Sequence, residues 1–397
     1  MTKRILLLDT GKEWGGGTNS MIELLKRLDR EAYAVTPLFF DNYARGSDGD
    51  LRSALAEIGY ELKLLPRLRQ PWWAKLSKEL ARGLFGWWPR LKHTVVFSIE
   101  LAWRINPDAL RIAQVLREGG YSALYLNNQP SSNLEGLLAA ESTGTRAIQH
   151  CRIEANLNRD EVAILNRIIR RVICVSQGVA GSLIAQGVAG ERCTVVLNGV
   201  DGGQALPDPM AARRIHGLPE SSVVIGTVGS LVPRKGVAVL LRAMKRMSDA
   251  SSRALIVGDG PQRTALETLT AELGLSSRVV FAGFQREPLP HLAAMDIFCL
   301  ASAREGLPRV ILEAMLLGKP VVATDIPGCR ELVRHGETGY LVPHGDVAAL
   351  ADALSRLLAN PELRTKFGQR GREIVLAEYS IERYVHGVTQ VFDEVLA

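Results

Sequence analysis

Two glutamates eight positions apart, Glu305 and Glu313, lie in the run Ala301-Ser302-Ala303-Arg304-Glu305-Gly306-Leu307-Pro308-Arg309-Val310-Ile311-Leu312-Glu313-Ala314-Met315. The run reads as a strand end, a tight loop and a helix, with Pro308 suited to the first helical turn and Gly318-Lys319-Pro320 closing the helix. A helix start leaves its first N–H groups without intrahelical partners. Gly306, Leu307, Arg309 and Val310 would therefore present N–H groups to phosphate or sugar oxygens, while Pro308 has none to give. Glu305 at the helix mouth and Glu313 two turns along could then hold two separate groups. For a single glutamate, charge capping or solvation would be the simpler reading. Glu313, however, stands among Ile311, Leu312, Ala314, Met315 and Leu316, where a carboxylate is costly to bury without a partner or ligand.

Three further constellations accompany the pair. Val228-Gly229-Ser230-Leu231-Val232-Pro233-Arg234-Lys235-Gly236 joins a strand end to a helix start. Its adjacent cations among glycines suit a diphosphate, because arginine grips oxygens bidentately and lysine acts as a point charge. A solvated surface pair is the plain alternative. Gly15-Gly16-Gly17-Thr18 follows the first strand and precedes the helical pattern Met21 to Leu28. Gly16 and Gly17 allow close backbone approach and can cradle an anion. Neither a Walker A ending nor the dinucleotide fingerprint is present. His150 is expected at the carboxyl end of a strand running from Arg146 to Gln149, facing a cleft. Asp48-Gly49-Asp50 has D-x-D spacing but no third ligand near it in sequence, and no metal site is assigned.

These residues need strands and helices to hold them. A chain of 397 residues with 47% hydrophobic and 23% charged residues reads as two globular domains. Strands are expected at Arg4 to Leu8, Val35 to Phe40, Leu62 to Leu65, Ala123 to Leu126, Arg146 to Gln149, Val172 to Val175 and Thr194 to Leu197. After a connection rich in Gly and Pro the pattern restarts at Val223 to Val228, Ala254 to Val257, Val279 to Ala282, Ile297 to Leu300, Val321 to Ala323 and Tyr340 to Val342. Helical patterns lie between, so the fold class is α/β with two doubly wound Rossmann-like domains facing across a cleft. The expected boundaries are 1–205, 206–378 and a final helix, 379–397. The apolar run at Ile5 ends at Asp9, too early for a secretory leader, and no stretch is long enough to span a membrane. Five scattered cysteines without a C-x-x-C pair fit a reducing cytoplasm.

In combination these motifs resemble glycosyltransferase family 4, the retaining GT-B group that builds cell-surface glycans and glycolipids. The resemblance rests on the Gly-Ser-Leu-Val-Pro-Arg-Lys-Gly loop, Val257-Gly258-Asp259-Gly260-Pro261, Met295-Asp296-Ile297-Phe298, Glu305-Gly306-Leu307-Pro308 through Glu313-Ala314-Met315, and Gly318-Lys319-Pro320-Val321-Val322-Ala323-Thr324. In the first half it uses the glycine loop, His150, Val175-Ser176 and Asn198-Gly199-Val200-Asp201. It implies a nucleotide-diphosphate sugar, UDP being the commonest, as donor. Glu305 would meet the donor sugar's hydroxyls, Glu313 the ribose, Arg234 and Lys235 the diphosphate, Gly16 and Gly17 the phosphates from the opposite domain, and His150 the sugar near the reacting carbon. Ser230 stands where many members carry arginine, with Arg234 supplying the charge. The implied reaction retains the anomeric configuration by front-face transfer and needs no metal or cofactor. Residues around Phe284 to Arg286 would meet the base.

The charge is unevenly placed. From Glu61 to Arg104 there are nine Lys/Arg against three Asp/Glu, the whole of the chain's +6. The same stretch holds Trp72, Trp73, Trp87, Trp88 and Trp103 among Lys75, Lys78, Arg82, Arg90 and Lys92. Aromatic and basic residues together suit an anionic membrane surface, here the inner leaflet, with a lipid-linked or saccharide acceptor presented to the cleft. Packing of the tryptophans into the first domain is the alternative. No nucleic-acid module accompanies the basic stretch. Two other functions stay open on sequence: a nucleotide-sugar epimerase of the same fold, and a non-catalytic partner subunit of a transferase.

Overall fold

The computed structural model describes residues 2–44, 49–85 and 87–397, with the side chains of Pro89 and Arg90 outside that description. Asp48 of the D-x-D triplet also lies outside it. Asp50 caps the following helix by accepting from Ser53 N–H at 2.7 Å.

The first sheet contains β1 (Lys3–Asp9), β2 (Tyr33–Phe39), β3 (Lys63–Leu64), β4 (Ala123–Leu126), β5 (Arg146–Cys151), β6 (Ile169–Cys174) and β7 (Cys193–Val195). Its order is β3-β2-β1-β4-β5-β6-β7, parallel throughout. The second contains β8 (Val224–Val228), β9 (Arg253–Val257), β10 (Val279–Gly283), β11 (Ile297–Leu300), β12 (Val321–Thr324) and β13 (Gly339–Val342). These run β10-β9-β8-β11-β12-β13, again parallel. Every strand expected from the sequence is present. Helices on both faces explain why β1 carries Ile5, Leu6, Leu7 and Leu8 without alternation, each at 0% exposure. In each sheet the order reverses beside the first strand, between β1 and β4 and between β8 and β11. Such reversals open a crevice at the strands' carboxyl ends, where ligands bind.

The chain crosses between the domains twice, and the crossings are tied together. Val200 N–H donates to Tyr379 C=O and Ile381 N–H donates to Val200 C=O, both at 3.0 Å. Gly199 is required there, since a Cβ would come within 2.4 Å of the Ser380 carbonyl oxygen. The helix Ile381–Leu396 then lies on the first sheet. Its Tyr384, Val388 and Phe392 join Ile5, Leu7, Tyr125, Ile148 and Ile173 in one apolar core. Phe392 meets Tyr125 and Tyr33 edge-on at 5.1 and 5.8 Å.

The basic stretch forms the helix Trp72–Leu84 followed by a second, Pro89–Glu100, which continues through a π-turn at Leu101–Ile105. On the first helix Trp72, Leu76, Leu80 and Leu84 recur every fourth residue and are 75%, 50%, 56% and 75% exposed. Trp87 and Trp88 at its end are exposed too. Trp73 instead packs on Trp103, with centroids 4.4 Å apart. Lys78 turns inward to Glu100 and Gln70, and Arg82 pairs with Glu79; on these helices exposed Lys75 and half-buried Lys92 have no ion pair among the described residues.

Candidate active site

Loops from both switch points line one cleft that encloses about 270 Å³. From the first domain come Asp9 to Asn19, Asn127 to Gln129 and Arg152. From the second come Val228 to Ser230, Arg234, Lys235, Phe284 to Arg286 and Glu305 to Val310, with Glu313.

The second-domain wall is an interlocked charge cluster. Lys235 Nζ donates to Glu305 Oε1 at 2.6 Å, and Arg234 Nη1 lies 3.5 Å from the same oxygen while donating to Arg304 C=O at 2.7 Å. The Arg-Lys turn reaches β11 because Gly236, at φ +66°, sits against its end; a Cβ there would meet the Ala301 carbonyl oxygen at 2.1 Å. Glu305 is 7% exposed. Burial pushes its carboxyl up, but Lys235 and Arg234 outweigh that and hold it below the usual range. Glu313, equally buried, accepts from Arg309 Nε at 2.8 Å. There burial wins and the carboxyl is raised, with Arg309 only partly offsetting it.

The helix Arg309–Leu316 starts just past Pro308, which was expected in its first turn and is instead the extended N-cap residue. Among the described residues the N–H groups of Gly306, Leu307, Arg309 and Val310 donate to no protein acceptor, and all four residues line the cleft. Opposite them the glycine run is not a separate loop. Gly15 is the N-cap and Gly16 and Gly17 form the first turn of the helix Gly16–Arg27. A Cβ at Gly16 or Gly17 would meet nothing nearer than 3.7 or 3.4 Å, so packing alone does not demand glycine there. Gly306 differs, because the Arg152 carbonyl oxygen would lie 2.2 Å from its Cβ; the two domains touch at this point. Asn198 Nδ2 also donates to Leu307 C=O at 2.8 Å, and Gln177 and Gly178 N–H donate to the Glu331 carboxylate at 2.9 and 2.8 Å. At one end of the cleft Phe284 meets Trp14 and Tyr43 edge-on, and Arg286 pairs with Glu57.

His150 is a correction. It was expected to touch a sugar, yet it is fully buried and does not line the cleft. Strand β5 runs two residues further than expected, to Cys151, and its alternation turns His150, like Ile148, under the closing helix. Its Nδ1 lies 2.6 Å from Tyr125 Oη, while Nε2 has no hydrogen-bond partner among the described residues. Burial holds its pKa well below 6.5. A depressed folded-state pKa gives stability that is present above 6.5 and lost on acidification, by roughly 1.4 kcal/mol per pH unit once only the unfolded chain takes the proton. Melting temperature should therefore fall more steeply below pH 6.5 in the natural chain than in His150→Gln; parallel profiles would refute this.

The residue that does emerge from β5 is Arg152, which the sequence reading missed. Asp9, ending β1, and Asn127, following β4, were missed with it. Asp9 accepts from Gly11 N–H at 3.0 Å and from Asn127 Nδ2 at 2.6 Å. Burial raises its carboxyl despite these donors. The signal was available: all three stand at carboxyl ends of central strands flanking the switch point.

Two Rossmann-like domains with a cleft between their strands' carboxyl ends define the GT-B architecture. The chain belongs to glycosyltransferase family 4: the profile of Glycosyltransferase Family 4 matches residues 14–203 and that of Glycosyl transferases group 1 matches 210–374. It is 36% identical over 179 residues to the lipopolysaccharide core biosynthesis glycosyltransferase LpsE of Rhizobium meliloti, covering 45% of this chain and 51% of that protein. It is 32% identical over 190 residues to N-acetyl-alpha-D-glucosaminyl L-malate synthase of Bacillus anthracis, covering 48% and 50%. The chain thus spans about half the length of the curated relatives it matches. HepE from Anabaena, solved with UDP-glucose, superposes with a TM-score of 0.79 at 24% identity over 98% of this chain and 99% of that one.

Proposed function

We propose that the protein is a retaining glycosyltransferase that moves a sugar from a nucleotide-diphosphate donor, a UDP-sugar, to a lipid-linked or oligosaccharide acceptor in cell-surface polysaccharide or lipopolysaccharide synthesis. The carrying observation is the Glu305, Arg234 and Lys235 cluster beside the unengaged N–H groups of Gly306, Leu307, Arg309 and Val310. Arg234 and Lys235 hold the diphosphate, and Glu305 accepts from the sugar's hydroxyls. Glu313, steadied by Arg309, takes the ribose, and Phe284 with Arg286 faces the base. Gly16 and Gly17 leave room for phosphates that their own packing does not fill.

The C1–O bond to the diphosphate breaks as the acceptor oxygen bonds to C1 on the same face. The acceptor's proton passes to the departing diphosphate oxygen. Charge growing on that leaving group is stabilised by the two cations and the helix-start N–H groups, with no resident metal or cofactor required. His150 takes no direct part; it supports Tyr125 beneath the cleft.

The donor reading is tested by a thermal-shift screen of nucleotide-diphosphate sugars, followed by turnover of the best binder. One donor should stabilise the protein and release its nucleoside diphosphate only with an acceptor. Release of free epimer without acceptor would indicate an epimerase, and stabilisation without turnover over any acceptor panel a non-catalytic subunit.

The exposed row Trp72, Leu76, Leu80, Leu84, Trp87 and Trp88, with Lys75 and Lys92 beside it, supports peripheral docking on the anionic inner leaflet from the cytoplasm. Among the described residues no helix is long and apolar enough to cross a membrane. The protein should float with anionic liposomes and less with neutral ones. Each cation removed costs about 1 kcal/mol of binding. Equal recovery on both vesicle types, unchanged by replacing Lys75, Lys78, Arg82, Arg90 and Lys92, would refute docking.

A further inference from the structure

We infer that Arg152 forms an oxyanion subsite on the first-domain side of the cleft, taking a phosphate or carboxylate carried by the acceptor. The inference rests on the donor lying against the second domain, as proposed above. Arg152 is half-buried, lines the cleft, and has no carboxylate within ion-pair distance among the described residues. Buried cations are ordinarily paired, because taking a charge out of water is costly. Here neutral oxygens hold the guanidinium instead. Nε and Nη2 donate to Asn127 Oδ1 at 3.0 and 2.7 Å, and Nη2 donates to Tyr384 Oη at 3.1 Å.

These contacts fix the group without neutralising it. The nearest acid in the same network, Asp9, is kept apart by the Asn127 amide, whose oxygen faces Arg152 and whose nitrogen donates to Asp9. Nη1 is left with one long contact, 3.5 Å to Asn198 Oδ1. A planar guanidinium held on one edge and free on another is built to receive an oxyanion. Arg234 and Lys235 stand on the opposite domain and already share Glu305, whereas Arg152 stands on the first-domain side next to Gly17, whose added Cβ would lie 3.4 Å from its Cγ; UDP affinity therefore tells an acceptor subsite from a donor contact. Tyr384 comes from the closing helix, so that helix is a positioning element for the subsite.

The test titrates inorganic phosphate, and separately acetate, into the full chain saturated with UDP. Phosphate, acetate or both should bind, about tenfold more weakly to Arg152→Gln and a few-fold more weakly to Tyr384→Phe, with partial recovery in Arg152→Lys. UDP affinity should stay within about twofold in all three. Binding of neither anion, or equal anion binding by the natural chain and Arg152→Gln, would overturn the subsite. So would a tenfold loss of UDP affinity in Arg152→Gln, which would place the arginine in the donor clamp. Should UDP itself not bind, the donor reading fails, and the same titration of the unliganded protein still reads the subsite. Melting curves of each variant separate loss of binding from loss of fold.

Discussion

Replacing Glu305 with glutamine should lower sugar transfer by on the order of a hundredfold to a thousandfold, the usual cost of deleting one electrostatic contact made to a transition state. Nucleotide affinity should hold or rise. Glutamine keeps the shape and one acceptor oxygen, so the sugar hydroxyls lose little contact. What disappears is the negative charge at the helix mouth, where breaking the C1–O bond builds positive charge on the sugar. Lys235, now 2.6 Å from that carboxylate, would be released toward the diphosphate. A loss confined to kcat would bear this out; unchanged turnover would remove Glu305 from the chemistry.

The second large effect is expected from Lys235→Met. Lys235 is the nearer partner of a buried carboxylate, and removing one member of such a pair costs about 3 to 5 kcal/mol. Arg234 at 3.5 Å holds the loss toward the lower end. Calorimetric melting would read the change, and adding Glu305→Gln should return most of the stability, because the stranded charge is then gone. The pH response should also change sign. In the natural chain the lowered pKa of Glu305 gives stability that is present above 4.5 and lost as pH falls through the folded-state value. Without Lys235, burial dominates and raises the pKa, so acidification from neutral toward 4.5 should stabilise the variant. Additive losses in the double variant, or an unchanged pH response, would contradict the pairing.

The architecture was legible because both sheets are parallel and covered on both faces. Apolar runs such as Ile5 to Leu8 and Ile297 to Leu300 then stand out without periodicity. Glu305, Arg234 and Lys235 were legible as a group because their loops follow neighbouring strands of one domain, β8 and β11. His150 was misplaced for a different reason. Its chemical type suits a cleft, but a strand extended by two residues turned it inward and brought Arg152 to the edge. No local pattern marks where a buried strand ends, since the hydrogen bonds that extend it come from β6, which is remote in sequence. The network of Asp9, Asn127 and Tyr384 was hidden similarly, being assembled from β1, β4 and the last helix. Lys78 shows the converse, for its charge looked like surface until the fold set Glu100 against it.

The cleft is expected to bind a nucleoside diphosphate through Arg234 and Lys235. Isothermal titration of UDP, GDP and ADP into the natural chain and into an Arg234→Met, Lys235→Met double variant tests it most directly. One diphosphate, UDP by this account, should bind the natural chain and lose on the order of a hundredfold or more in affinity when both charge-assisted grips are removed. Binding of none of the three to the natural chain, or undiminished binding to the double variant, would contradict it.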